Sequence, residues 1–144
     1  MSDRLSQRLD RLGQDARPPG VYRWEPTGLV ATAAALVRGT GRAAWTITPA
    51  GADKVAFLDA CAIGLALPPW FGRNWDALAD CLADLALPPP GGVILVDANG
   101  FAAQQPDEFA TTLEIFAQAC VRPPGELLWV LVSGSAGTGG LPSL

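Results

Sequence analysis

Three carboxylates set one segment apart from the rest of the chain. Asp76, Asp80 and Asp84 recur at i, i+4 and i+8, a spacing that gathers them on one face of a helix. Trp75, Leu78, Ala79, Leu82 and Leu85 fall on the opposite face, and residues 75–85 contain no Lys or Arg. Like charges at i, i+4 destabilise a helix by about 0.2 to 0.5 kcal/mol per pair, and Asp is a mediocre helix former. Only Asp76, in the first turn, gains from the helix dipole. Such a row is an ordinary polar face, an acid–base pair, or a rigid anionic surface for a cationic partner. The last suits short side chains, because few rotors freeze on binding. Arg73 is placed to fold back on Asp76 and neutralise part of the row. Trp70 and Phe71, in the preceding loop, either plug the core or anchor an interface.

The composition narrows this choice. The chain of 144 residues has no His, which removes the commonest general base, the commonest metal ligand and every triad built on His. Cys61, Cys81 and Cys120 are scattered and form no CxxC pair. They read as reduced structural thiols of a cytoplasmic protein, with neither a zinc site nor a disulfide framework. The N-terminal segment MSDRLSQRLDRLGQD is charged and lacks an apolar signal core, so a leader for export is not expected. No apolar run approaches the roughly 18 residues of a membrane span. Two glycine-rich stretches, Gly39 to Gly41 and Gly134 to Gly140, lack the GK[ST] and following helix of a phosphate loop. No cofactor or metal is expected.

The net charge of −4 is unevenly spread. Residues 1–50 hold seven Arg against four acids, whereas residues 51–144 hold ten acids against Lys54, Arg73 and Arg122. The acidic part does not suit direct binding of nucleic acid; it either steers encounter with a basic protein or only keeps the chain soluble.

These side chains need a scaffold, and prolines divide it. Pro18-Pro19, Pro68-Pro69, Pro88 to Pro90 and Pro123-Pro124 mark breaks. A short helix is predicted over Ser2 to Gly13, a strand over Val21 to Trp24, and a helix over Gly28 to Val37 closed by Gly39 and Gly41. Ala44 to Thr48 reads as a strand. A helix follows from about Asp53 to Ile63, with Ala52 a poor cap, then the loop, then the acidic helix from Trp75 to about Leu85. VILV at 93–96 and LLWVLV at 127–132 have the length and continuity of buried parallel strands. Between them a helix from Asp107 to Cys120 puts Phe109, Leu113, Phe116 and Cys120 on one face. The segment 134–144 reads as a flexible tail. Strands separated by helices imply an α/β fold with a parallel sheet.

The stretch LALPPWFGRNWDALADCL, residues 65–82, resembles the signature of the barstar family, intracellular inhibitors of secreted bacterial ribonucleases. The likeness rests on the Leu-Pro before the loop, Trp70-Phe71, Gly72, Asn74, Asp76-Ala77-Leu78 and Asp80-Cys81-Leu82. Element order extends it over residues 43–133. The resemblance implies a three-stranded parallel sheet flanked by helices, with a fourth strand available from residues 1–42, an extension absent from the smallest members. It also implies a non-enzymatic, one-to-one inhibitor that places its acidic helix and loop in the active site of a basic ribonuclease, where carboxylates take the places of substrate phosphates. By that resemblance Asp76 and Asp80 are the principal acidic contacts, and Trp70, Phe71, Gly72 and Asn74 are loop contacts. The chain departs from the pattern at Ala79, where the best-known member has a large aromatic, and at Ala83 and Leu85. The second acidic contact aligns with Gln118, one turn after Glu114. These departures imply a different target. The alternative is a barstar-fold module that binds a non-nuclease partner or assembles with itself.

Overall fold

The two uninterrupted apolar runs become the centre of the sheet. In the computed structural model, which describes residues 7–9, 12, 17–24, 30–133, 138 and 140–144, β3 (Gly92–Asp97) and β4 (Leu128–Ser133) lie side by side. Helices cover both of their faces, so neither strand alternates in polarity. β2 (Ala43–Ile47) pairs with β3, and β1 (Gly20–Trp24) pairs with β4. All pairs are parallel, in the order β1-β4-β3-β2. The fourth strand thus comes from the N-terminal extension.

Chain direction across the sheet reverses after β2. The first connection runs from one edge to the other through α1 (Val30–Gly39), whose Ala33, Ala34 and Val37 pack with Tyr22, Val93, Leu95, Trp129 and Leu131. The return through β3 and β4 uses α2 (Lys54–Gly64), α3 (Trp75–Ala83), α4 (Asn99–Gln104) and α5 (Pro106–Ala119) on the other face. There Phe57, Leu78, Leu82, Phe101, Phe109 and Phe116 pack with Ile47, Ile94, Val96 and Val130. Opposite directions with helices on opposite faces satisfy the right-handed crossover rule. Gly64 permits close approach at the end of α2, because a Cβ there would collide with the Thr46 carbonyl.

Several elements differ from expectation. The acidic helix ends at Ala83, two residues early. α2 does have a cap: Asp53 Oδ1 accepts from the Ala56 amide at 2.8 Å, so the relevant side chain is the residue after Ala52. α4 was not expected. The helix at Ser2 to Gly13 lies outside the described residues except for helical residues 7–9 and buried Leu12. The described end of the expected flexible tail is docked. Arg23 N donates to the Pro142 carbonyl and Leu144 N donates to the Arg23 carbonyl, both at 3.0 Å, and Leu144 is buried. β1 is an edge strand with unpaired backbone groups, and this segment satisfies part of that edge. Residues 134–137 and 139 lie outside the described part. Among the described residues no helix is long and apolar enough to cross a membrane.

Candidate functional site

The loop into α3 is built from two backbone devices. α2 closes with Ala66 in the left-handed region at φ 51°. Leu67 N donates to Ala62 O at 2.9 Å and Ala66 N to Ile63 O at 3.2 Å, the paired bonds of a Schellman closure with alanine where glycine is usual. Arg73 is also left-handed, at φ 49°, a conformation that disfavours a residue with a Cβ. Its Nε donates to Asp59 Oδ1 at 2.7 Å, which ties the loop to α2. Arg73 therefore does not fold back on Asp76: Asp59, fourteen residues earlier, holds it. Asn74 then caps α3, its Oδ1 accepting from Ala77 N at 2.8 Å.

Side chains fix both ends of α3. At its start, the half-buried Trp75 packs at 6.2 Å from Phe57 and 6.4 Å from Phe101, ring centre to ring centre. The indole Nε1 donates to Glu108 Oε2 at 2.6 Å, and Lys54 Nζ stands 5.3 Å from the ring centre. At its end, Arg122 reaches across from the loop after α5. Nη1 donates to the Leu82 and Ala83 carbonyls at 3.0 Å, and Nη2 to Leu85 O at 2.6 Å and Glu126 Oε1 at 2.9 Å. A buried cation thus meets the negative end of the helix dipole beside Asp84. The Arg122 side chain is only 7% exposed. Sequence reasoning missed this residue, because the carbonyls it holds lie some forty positions away.

On the helix so held, Asp76, Asp80 and Asp84 are exposed. Among the described residues none of them has a salt-bridge partner; the carboxylates that do are Asp59, Glu108 and Glu126. The adjacent aromatics divide. Trp70 is 78% exposed, whereas Phe71 is buried at 5% and belongs to the core. Phe71 therefore exposes little of its ring in the free chain, contrary to the open contact surface expected of it. Gly72 and Asn74 are exposed, although the Asn74 side chain is engaged as the cap. Ala79 and Gln118, also exposed, face a common groove between α3 and α5 that Ala83 and Glu114 also line. Of the eight expected contact residues, seven thus reach solvent, on the loop, on α3 and across the groove.

The cysteines take no part in this surface chemistry. Cys61 is buried and its thiol is pushed up to about 12 by burial. Cys120 reaches about 12 for the same reason, with Arg122 pulling it back. Cys81, on α3, is raised by burial and then by Asp84 and Asp80. All three favour the protonated, unreactive form.

Comparison with known proteins adds one finding. A protein-family model described as Barstar (barnase inhibitor) matches residues 48–133, more than half of the chain, and spans the loop, α3, α5 and the two central strands β3 and β4. No curated protein matches.

Proposed function

From the premise that this chain belongs to the barstar family of barnase inhibitors, we propose that it blocks a basic ribonuclease, one to one, by seating α3 and the loop before it in the nuclease active site. The observation that carries this reading is the exposed row Asp76, Asp80 and Asp84 on a helix pinned at both ends, with no cation of its own. Active sites that cleave RNA hold phosphates with Lys and Arg, and spaced carboxylates on a preorganised surface meet the same cations. Burying them is favourable only when guanidinium or ammonium groups face them, so the row selects a basic partner. Asp76 and Asp80 make the central contacts, Trp70 supplies exposed aromatic area beside them, and Gly72, Ala79 and Gln118 border the patch. Phe71 and Asn74 shape the loop from within. The protein acts by occupancy in the cytoplasm of the cell that makes it and needs no catalytic turnover, cofactor or nucleic acid. Titrating a basic ribonuclease with the protein, and with its Asp80→Ala variant, tests this reading.

A further inference from the structure

Between α3 and α5 lies a cavity of about 460 Å³, within the roughly 300 to 1,000 Å³ of ligand-sized clefts. Ala79 and Ala83 form its α3 wall and are too short to fill it; Ile115 and Ala119 form the α5 wall, with Val121 at one end. Val121 is 73% exposed, an apolar side chain held in water beside an apolar hollow. The cation on the lining is Arg122, and both of its terminal nitrogens are committed to carbonyls and to Glu126. The charge left on the rim is negative. Glu114 stands on the α5 side, and Asp80 and Asp84 each follow a groove-lining alanine on the α3 side.

We propose that this groove receives a bulky apolar side chain, aromatic or branched, projecting from a basic partner protein, with Lys or Arg beside it meeting Glu114 on the α5 wall and Asp80, next in the chain to the lining Ala79, on α3. The proposal rests on the inhibitor reading and adds a determinant of which partner is held. The apolar walls call for an apolar occupant, because a polar one would leave groups unpaired there. The rim selects cations around it. An anion finds both terminal nitrogens of the lining guanidinium already engaged, and its Nε, which has no partner, buried. A second copy of this chain would bring the same acidic rim against its own, and like charges facing each other oppose that contact. Partner pockets of this kind are where aromatic anchors concentrate binding energy. Alanine at both 79 and 83 sets the width, and one large residue at either position closes it.

The test needs no ribonuclease. The peptides acetyl-Arg-Trp-Lys-amide and acetyl-Arg-Ala-Lys-amide are titrated into the isotope-labelled full chain, and backbone amide shifts are followed. The tryptophan peptide is expected to shift Ile115, Ala119 and Val121 and to bind at least tenfold more tightly than the alanine peptide. Ala79→Phe should abolish that preference while keeping the dispersed spectrum of a folded protein; Ala83→Phe is the second filling variant should the first fail to fold. Equal affinity for the two peptides, or shifts confined to the loop at Trp70, overturns the proposal. So does a dimer of the free protein that Ala79→Phe disperses, because the occupant is then another copy. A sharp one-to-one ribonuclease endpoint without peptide discrimination leaves inhibition standing and removes the groove. Peptide discrimination without ribonuclease inhibition keeps the groove and removes the ribonuclease as its partner.

Discussion

Replacing Arg122 by methionine keeps the apolar stem and removes four hydrogen bonds, three to carbonyls at the end of the acidic helix and one to Glu126. A hydrogen bond to a charged group contributes about 1.5 to 3 kcal/mol, but four that share one guanidinium are not additive. The ion pair itself contributes below about 1 kcal/mol, since the Glu126 side chain is 37% exposed. The exposed carbonyl of Ala83 regains water, whereas the carbonyl of buried Leu82 is less able to. With the lost dipole term of about 0.3 to 1 kcal/mol, the sum comes to roughly 2 to 4 kcal/mol. For a chain of this size that lowers Tm by about 5 to 15 °C. Arg122→Lys should recover about half, because a single ammonium cannot span the same fork of acceptors. Glu126→Ala should cost less than about 1 kcal/mol. Thermal unfolding followed by circular dichroism measures all three. A Tm for Arg122→Met within about 1 °C of the parent would refute the idea that this residue secures α3.

Phe71→Ala should destabilise the protein by about 3 to 5 kcal/mol in denaturant unfolding, whereas Trp70→Ala should stay within about 0.5 kcal/mol of the parent and weaken partner binding by calorimetry. The reverse pattern would exchange their roles. Removing residues 141–144 should cost about 1.5 to 3 kcal/mol for Leu144, together with its bonds to Arg23, and an unchanged Tm would mean that the docked segment contributes nothing. Because burial raises the Cys61 and Cys120 thiols from 9.0 to about 12, the unfolded chain loses these protons first. Stability is therefore full below about pH 9 and is lost as pH rises toward 12, with Tyr22, also raised by burial, adding in the same direction. A stability curve flat across that range, or one unaffected by Cys61→Ala with Cys120→Ala, would contradict this assignment.

What could be read from the sequence was whatever is periodic or continuous. The runs at 93–96 and 127–132 announced central strands because helices on both faces remove any alternation. The acidic row announced its helix face because 3.6 residues per turn is a local property. What escaped was set by contacts distant in the chain. Nothing near Arg73 points to Asp59, and nothing near Arg122 points to Leu82, Ala83 and Leu85. Trp70 and Phe71 are neighbours of similar character, and only the course of the loop sends one into the core and the other into water. α4 is one short helix containing Gly100, with too few turns for an apolar stripe to show. The C-terminal segment is poor in apolar residues, yet an open strand edge can hold such a segment through its backbone. The acidic surface was legible, but the groove beside it was not, because its walls come from helices separated by β3.

The most direct test of the central claim is a titration of ribonuclease activity. A fixed concentration of a small basic ribonuclease from the source organism is mixed with increasing amounts of the purified protein, and residual RNA cleavage is read. The protein alone should cleave no RNA. Activity should fall linearly to zero with a break at one equivalent. Asp80→Ala, folded to the same Tm, should lose the sharp break, because removing one member of a buried charge pair costs roughly 2 to 5 kcal/mol. Full ribonuclease activity at several equivalents of the folded parent protein, for every basic ribonuclease of that organism, would contradict the inhibitor account and leave a barstar-family module with a different partner.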